Sequence, residues 1–431
     1  MHVQENTDLN RIEKLNIPGD DHGGDIYSHP GLLDFSANIN PLGPPKEVLH
    51  AATESLQHLD VYPDCRHRKL CNALAEKEKV DVKQIIPGNG AAELIYACIM
   101  AMKPKKALII TPGFSEYEKA LALVGCDIVE FPLFYPADFP DQEGGLFSSD
   151  FSKSGKSNLT ENINPLFAEN NPSFLSERIA PGLLEYIGPE LDMMILVNPN
   201  NPTGNLFHKK LCKKIIEKCR QNRVLLMVDE CFMDFVDEER QVHMLDTMSS
   251  QSMVNKEQRK SPEGQLTNQI EKKLSEETRI TGLIVLKAFT KIYAIPGVRL
   301  GYAVTSTAKL ADRIRPYLQP WNVSVIADAC GLAALQAEKN TDFLRETRDY
   351  VKRERCLLIG ALESAGFAVY PPAANYIFFK GPQGLQEKML EKGILIRSCA
   401  NYRGLDQGFY RIAVRRKDEN HIFRKALQEL T

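Results

Sequence analysis

Four uninterrupted apolar runs constrain this chain more than any other feature: Ala107-Leu108-Ile109-Ile110, Met193 to Val197, Val224 to Val228 and Gly282 to Leu286. Runs of this length without polar alternation suit strands covered on both faces, and from about residue 91 they alternate with helix-period stretches such as Glu93 to Met102. The pattern predicts an α/β domain around a largely parallel sheet. Ligands of such sheets bind just beyond the carboxyl ends of the strands. Asn198, Asp229 and, a few residues further on, Lys291 stand at such ends, so three strand ends are expected to converge on one pocket.

After Trp321 the pattern changes. Helical stretches over 325–335 and 341–365 precede short strand-like pieces at 367–370, 376–379, 394–396 and 410–414, the mark of a smaller α+β domain. We expect a large domain over 46–320 and a small one formed by 1–45 with 321–431. Two polar segments, 141–176 and 249–277, read as surface insertions, with helix possible at Gln269 to Leu274.

Lys plus Arg number 53 against 56 Asp plus Glu, which leaves no basic field for nucleic acid. No stretch has the roughly 18 uncharged apolar residues of a membrane helix, and the first ten residues lack a basic then apolar leader, so a cytoplasmic protein is expected. The ten cysteines contain no Cys-x-x-Cys pair and no zinc-finger spacing, so they are read as thiols and no metal is expected.

The strongest local signal is Asn198-Pro199-Asn200-Asn201-Pro202-Thr203-Gly204, where two X-Pro steps and a glycine force a defined turn at the end of a buried strand. Asp229 ends another such strand, where an unpaired carboxylate would cost several kcal/mol, so it needs a cationic or hydrogen-bonding partner. Lys291 follows a third, and a lysine held near other cations has the depressed pKa that imine chemistry uses. Gly88-Asn89-Gly90-Ala91-Ala92-Glu93 opens a helix with residues small enough for backbone N–H groups to approach an anion.

In that order, Asn-Pro-Asn-Asn-Pro-Thr-Gly, Asp229, Ala288-Phe289-Thr290-Lys291 and Gly297-Val298-Arg299-Leu300-Gly301-Tyr302 resemble the fold-type I pyridoxal-phosphate aminotransferase superfamily, over nearly the whole chain. The resemblance implies a mostly parallel mixed sheet flanked by helices plus a smaller α+β domain, and pyridoxal 5′-phosphate as cofactor. It implies that Lys291 binds the cofactor covalently, that Asp229 pairs with the pyridine nitrogen and that Asn201 donates to the ring oxygen. Arg299 and Thr290, with Gly90, Ala91 and Ala92, would meet the phosphate. Tyr117 would stack on the ring, and Tyr62 would reach a dimer partner's cofactor phosphate. Ala288 stands where Ser is common, which removes one possible phosphate donor.

Two features point to a branch. His22-Gly23-Gly24-Asp25 followed by Ser36-Ala37-Asn38-Ile39-Asn40-Pro41, and Phe232 three residues after Asp229 where most aminotransferases carry Tyr, resemble the threonine-phosphate decarboxylases. That branch is similar to histidinol-phosphate aminotransferases. It implies decarboxylation of a small phosphorylated amino acid, L-threonine O-3-phosphate, to the aminopropanol phosphate linker of cobalamin. Arg397 and Arg411 match the family's two substrate arginines, with His22 and Asn38 as helpers. Histidinol-phosphate transamination, serine-phosphate decarboxylation and a non-catalytic binding role are the competing expectations.

Overall fold

The computed structural model describes residues 22–133, 173–246 and 280–430. The insertion at 249–277, its expected helix at Gln269 to Leu274, and most of that at 141–176 lie outside the described residues. The helix Ser173–Tyr186 begins within the last residues of the latter.

Seven strands form the main sheet: β2 (Ile85–Gly88), β3 (Lys106–Thr111), β4 (Asp127–Pro132), β5 (Met193–Val197), β6 (Leu225–Asp229), β7 (Gly282–Ala288) and β8 (Gly301–Thr305), after a short β1 (Leu33–Asp34). Their order is β2-β8-β7-β6-β5-β3-β4. The pairs from β7 through β4 are parallel, and β8 runs antiparallel to both β7 and β2. The side chains alternate between two cores. Met194, Leu196, Leu226 and Val228 pack on one face, and Met193, Ile195, Leu225 and Met227 on the other. Apolar residues at every position are what a strand with a two-residue repeat needs when both faces are covered.

A second sheet, β12-β13-β10-β9, is antiparallel and uses β9 (Ala368–Tyr370), β10 (Tyr376–Lys380), β12 (Arg397–Ser398) and β13 (Phe409–Ala413). The N-terminal β1 pairs in parallel with β11 (Ile394–Leu395), so the segment before residue 45 is stitched to the C-terminal region. The amide of Ala413 also donates to the carbonyl of Phe35 at 2.7 Å. Among the described residues no helix is long and apolar enough to cross a membrane.

Candidate active site

The carboxyl ends of β5, β6 and β7 open onto a cavity of ≈ 210 Å³. Lys291 lines it from the short helix Phe289–Ile292, which starts where β7 ends. The N-terminal segment holds that helix in place. Asn40, 3% exposed, donates to it twice: its amide N–H to the Lys291 carbonyl at 3.1 Å and its Nδ2 to the Ile292 carbonyl at 2.7 Å. Burial and the nearby Arg411 guanidinium push the Lys291 ammonium down to about 8 from 10.5. A neutral amine is therefore accessible near neutral pH, as nucleophilic chemistry at Nζ requires.

Asp229 is buried at the last position of β6. Its Oδ1 accepts the Cys231 amide at 2.9 Å and its Oδ2 accepts the Tyr117 hydroxyl at 2.8 Å. Desolvation raises its pKa against those hydrogen bonds, so a cation placed beside it would favour the ionised form. Tyr117, expected to stack on a ring, is buried behind this carboxylate and does not line the cavity, whereas Phe114 does.

The helix Gly90–Met102 begins at the opposite wall. Two glycines set how closely it approaches. A Cβ on Gly301 would lie 2.7 Å from the Ala91 nitrogen, and a Cβ on Gly90 would lie 2.6 Å from Arg299 Nη2. Gly90 also has φ +78°, which L side chains rarely adopt. Ala91, Ala92, Thr290 and Arg299 consequently converge on the cavity at a helix N-terminus, the arrangement that receives an anion.

Arg411, on β13 and 5% exposed, crosses from the second sheet. Its Nη1 donates to Asn201 Oδ1 and its Nη2 to the Ser36 carbonyl at 2.8 Å. A guanidinium only donates, so Asn201 must present its oxygen to Arg411 and keeps its NH₂ for another acceptor. The guanidinium also lies 5.6 Å from the ring centre of Tyr376, which packs edge-on against Phe232.

His22 and Asn38 line the same cavity from the N-terminal segment. His22 Nε2 lies 2.9 Å from Glu116, which also receives the Tyr96 hydroxyl and Lys119. Buried Asn38 Oδ1 and Arg411 Nε have no hydrogen-bond partner among the described residues.

Four expected residues are not among those lining this cavity in the single chain: Gly90 and Tyr117, which lie directly behind it, and Arg397 and Tyr62, which stand apart. Arg397 faces Arg411 across the β12–β13 ladder but donates to Asn401 Oδ1 at 2.8 Å and sits over Tyr402, and it is not among the lining residues. Tyr62 is 77% exposed, with its ring centre 4.8 Å from that of Trp321. Sequence reasoning passed over Ser36, Asn40, Phe114, Cys231 and Tyr402. The first two lie inside the N-terminal signature. Nothing local marks Tyr402.

A doubly covered sheet whose strand ends gather a buried lysine, a buried aspartate and a helix-start anion cradle defines a class of cofactor-dependent enzyme, and the chain belongs to the aminotransferase class I and II family, whose model matches residues 30–427. The chain is 32% identical to the threonine-phosphate decarboxylase of Salmonella typhimurium strain LT2 over 421 residues, 95% of this chain and 96% of that protein. It is 27% identical to histidinol-phosphate aminotransferase 2 of Archaeoglobus fulgidus over 404 residues, 93% of each. The crystal structure of histidinol-phosphate aminotransferase from Clostridium acetobutylicum superposes with a TM-score of 0.67 at 27% identity, over 93% of this chain and 99% of that one.

The family's cofactor is pyridoxal 5′-phosphate. The residues present fit it. Gly90 leaves the space under Arg299 that a Cβ would fill, Asp229 keeps acceptor capacity beyond its two bonds, and the Asn201 amide has hydrogens to give.

Proposed function

We propose that this chain is a pyridoxal-phosphate-dependent decarboxylase of L-threonine O-3-phosphate, releasing CO₂ and aminopropanol phosphate. The observation that carries the reading is that His22, Ser36, Ala37 and Asn38, from the segment that resembles the decarboxylases, line the same cavity as Lys291 and Arg411. Identity to the Salmonella enzyme over nearly the full chain supports it.

Lys291 would hold the cofactor, with Asp229 at the ring nitrogen, Asn201 at the ring oxygen, Tyr117 beside the ring, and Thr290, Arg299, Gly90, Ala91 and Ala92 around the phosphate. When bound, the cofactor supplies an electron sink for the pair left at Cα as a bond there breaks. Which bond at Cα would break depends on how the substrate is oriented, and that orientation would be set by this chain's own residues. Arg411 is the fixed cation of the site, because Asn201 and Ser36 hold two of its donor groups and stop it rotating. In our reading Arg411 or Arg397 would anchor the substrate phosphate with His22 and Asn38, and this would set the orientation of the substrate carboxylate. Lys291 Nζ then delivers a proton to Cα, which its lowered pKa permits near neutrality. Phe232 brings no hydroxyl to compete for the ring oxygen.

The test is CO₂ release from L-threonine O-3-phosphate by protein and cofactor without any keto acid, beside histidinol phosphate with 2-oxoglutarate. Glutamate from the second mixture and no CO₂ from the first would overturn the decarboxylase in favour of the aminotransferase. L-serine O-phosphate in a third mixture decides the role of the substrate methyl.

A further inference from the structure

Behind the strand ends lies a cluster of ionised side chains that lines no part of the cavity and is largely shielded from solvent. Lys287 Nζ is 3.0 and 2.8 Å from the two carboxylate oxygens of Glu78 and 3.7 Å from Glu230 Oε2. The side chains of Lys287, Glu78 and Glu230 are 11%, 7% and 1% exposed. Glu78 also accepts the Tyr302 hydroxyl at 2.6 Å. Glu230 accepts the Met244 amide at 2.8 Å and meets His243 Nδ1 at 3.1 Å. A neighbouring pair, Lys77 and Glu338, extends the cluster, and Glu338 accepts the Tyr293 hydroxyl.

Stability alone does not account for such an arrangement. Removing charges from water costs several kcal/mol per ion, and packed apolar replacements of buried pairs are often neutral or stabilising. The chain positions offer another account. Glu230 directly follows Asp229. Lys287 lies on β7 four residues before Lys291, and Tyr293 lies two residues after it. Tyr302 follows Gly301, the glycine on which the phosphate-cradle helix rests. The strand that delivers Asp229, the strand and turn that deliver Lys291, and the strand on which the cradle helix rests therefore each carry a neighbour bound into this cluster. Glu78, the last residue of the helix Arg68–Glu78, ties β7 to β8 through one carboxylate.

We propose that Glu78, Lys287, Glu230 and Tyr302 form a positioning cluster that fixes Lys291 relative to Asp229 and the cofactor ring. Because strands alternate, Lys287 and Glu230 point away from the face that presents the site, so they act only through the backbone. A directional, low-dielectric ion cluster sets a register that apolar contacts leave free to slide. The inference rests on the cofactor reading of the site but not on the substrate.

The test compares the parent holoenzyme with the neutral double variant Glu78→Gln/Lys287→Met, in which the new amide oxygen still accepts from Tyr302, and with Lys287→Arg in the parent background. Three quantities are measured: thermal midpoint, cofactor dissociation constant from its visible absorbance, and the pH midpoint of that absorbance. We expect the double variant to fold, to bind cofactor about tenfold more weakly and to shift the absorbance midpoint by about half a unit or more. Lys287→Arg, which keeps the charge, should retain most of both parent values. Parent-like affinity and midpoint in the double variant would overturn the proposal, whatever happens to its thermal midpoint. Should that variant not fold, Tyr302→Phe, which removes one hydroxyl and no charge, is measured in the same way with the same deciding outcomes. A parent protein that shows the visible band without releasing CO₂ contradicts the substrate reading alone, and these measurements still decide the cluster.

Discussion

At Lys291 the requirements of folding and of chemistry are opposed, because the desolvation that frees its amine for reaction also penalises its ammonium. Below about pH 8 the folded and unfolded chains both carry the proton, so the penalty is felt in full. Between about 8 and 10.5 the folded chain has released the proton while the unfolded chain keeps it, so this group's contribution to stability rises with pH. The cofactor-free Lys291→Met variant should therefore be more stable than the parent near about pH 7, by up to about 3 kcal/mol, and the gap should close toward about pH 10. Urea unfolding at several pH values measures it, and a constant gap would contradict the depressed pKa. Gly90 gives a second expectation at this scale. Gly90→Ala places a Cβ against Arg299 at a left-handed backbone position, so cofactor affinity should fall by about tenfold or more, read by absorbance titration.

Among the elements, the turn Asn198 to Gly204 shows how one segment binds the two sheets together. Asn200 Nδ2 donates to the Pro112 carbonyl at 3.0 Å, and the hydroxyl of Tyr376, from β10, donates to the Asn200 carbonyl at 2.7 Å. That carbonyl also accepts the Gly204 amide, so Tyr376→Phe removes one of two bonds. The expected cost is about 1 kcal/mol in urea unfolding with little change in cofactor affinity. This turn and the strands β5 and β6 were legible in the sequence, since proline, glycine and unbroken apolar runs report local geometry directly. The strands β2 and β8 were not legible as strands: β2 is broken by Pro87 and ends on Gly88, and β8 begins on Gly301 and ends on a threonine, so neither is an unbroken apolar run. The apolar run that marks β7 stops at Leu286 because Lys287 is polar, and only the fold supplies the Glu78 that lets a strand lysine be buried. In the site, the cavity-lining Lys291, Asp229, Asn201 and Arg411 announced themselves by type and position. Asn40 did not, because it works by hydrogen-bonding a backbone carbonyl 252 positions away.

For the molecule as a whole, the large apolar side chains that remain outside point to assembly. Leu56, Leu59, Val61 and Tyr62 are each more than half exposed within seven residues, and Trp321 packs its ring beside Tyr62. A contiguous apolar patch of this kind marks an interaction surface. Tyr62 is also the residue expected to reach a partner's cofactor phosphate, and in the single chain it stands away from its own cavity. A two-fold dimer that buries this patch would satisfy both observations, since the same surface serves both subunits. Sedimentation of the purified protein should give a dimer, and Leu59→Glu/Val61→Glu should give a monomer that retains its far-ultraviolet dichroism but binds cofactor more weakly. Tyr62→Phe should leave the dimer intact and weaken only cofactor binding, by about tenfold to a hundredfold, the worth of one hydrogen bond to a charged group. A monomer of undiminished cofactor affinity would show that each subunit completes its own site, and Tyr62 would then serve only to cover Trp321.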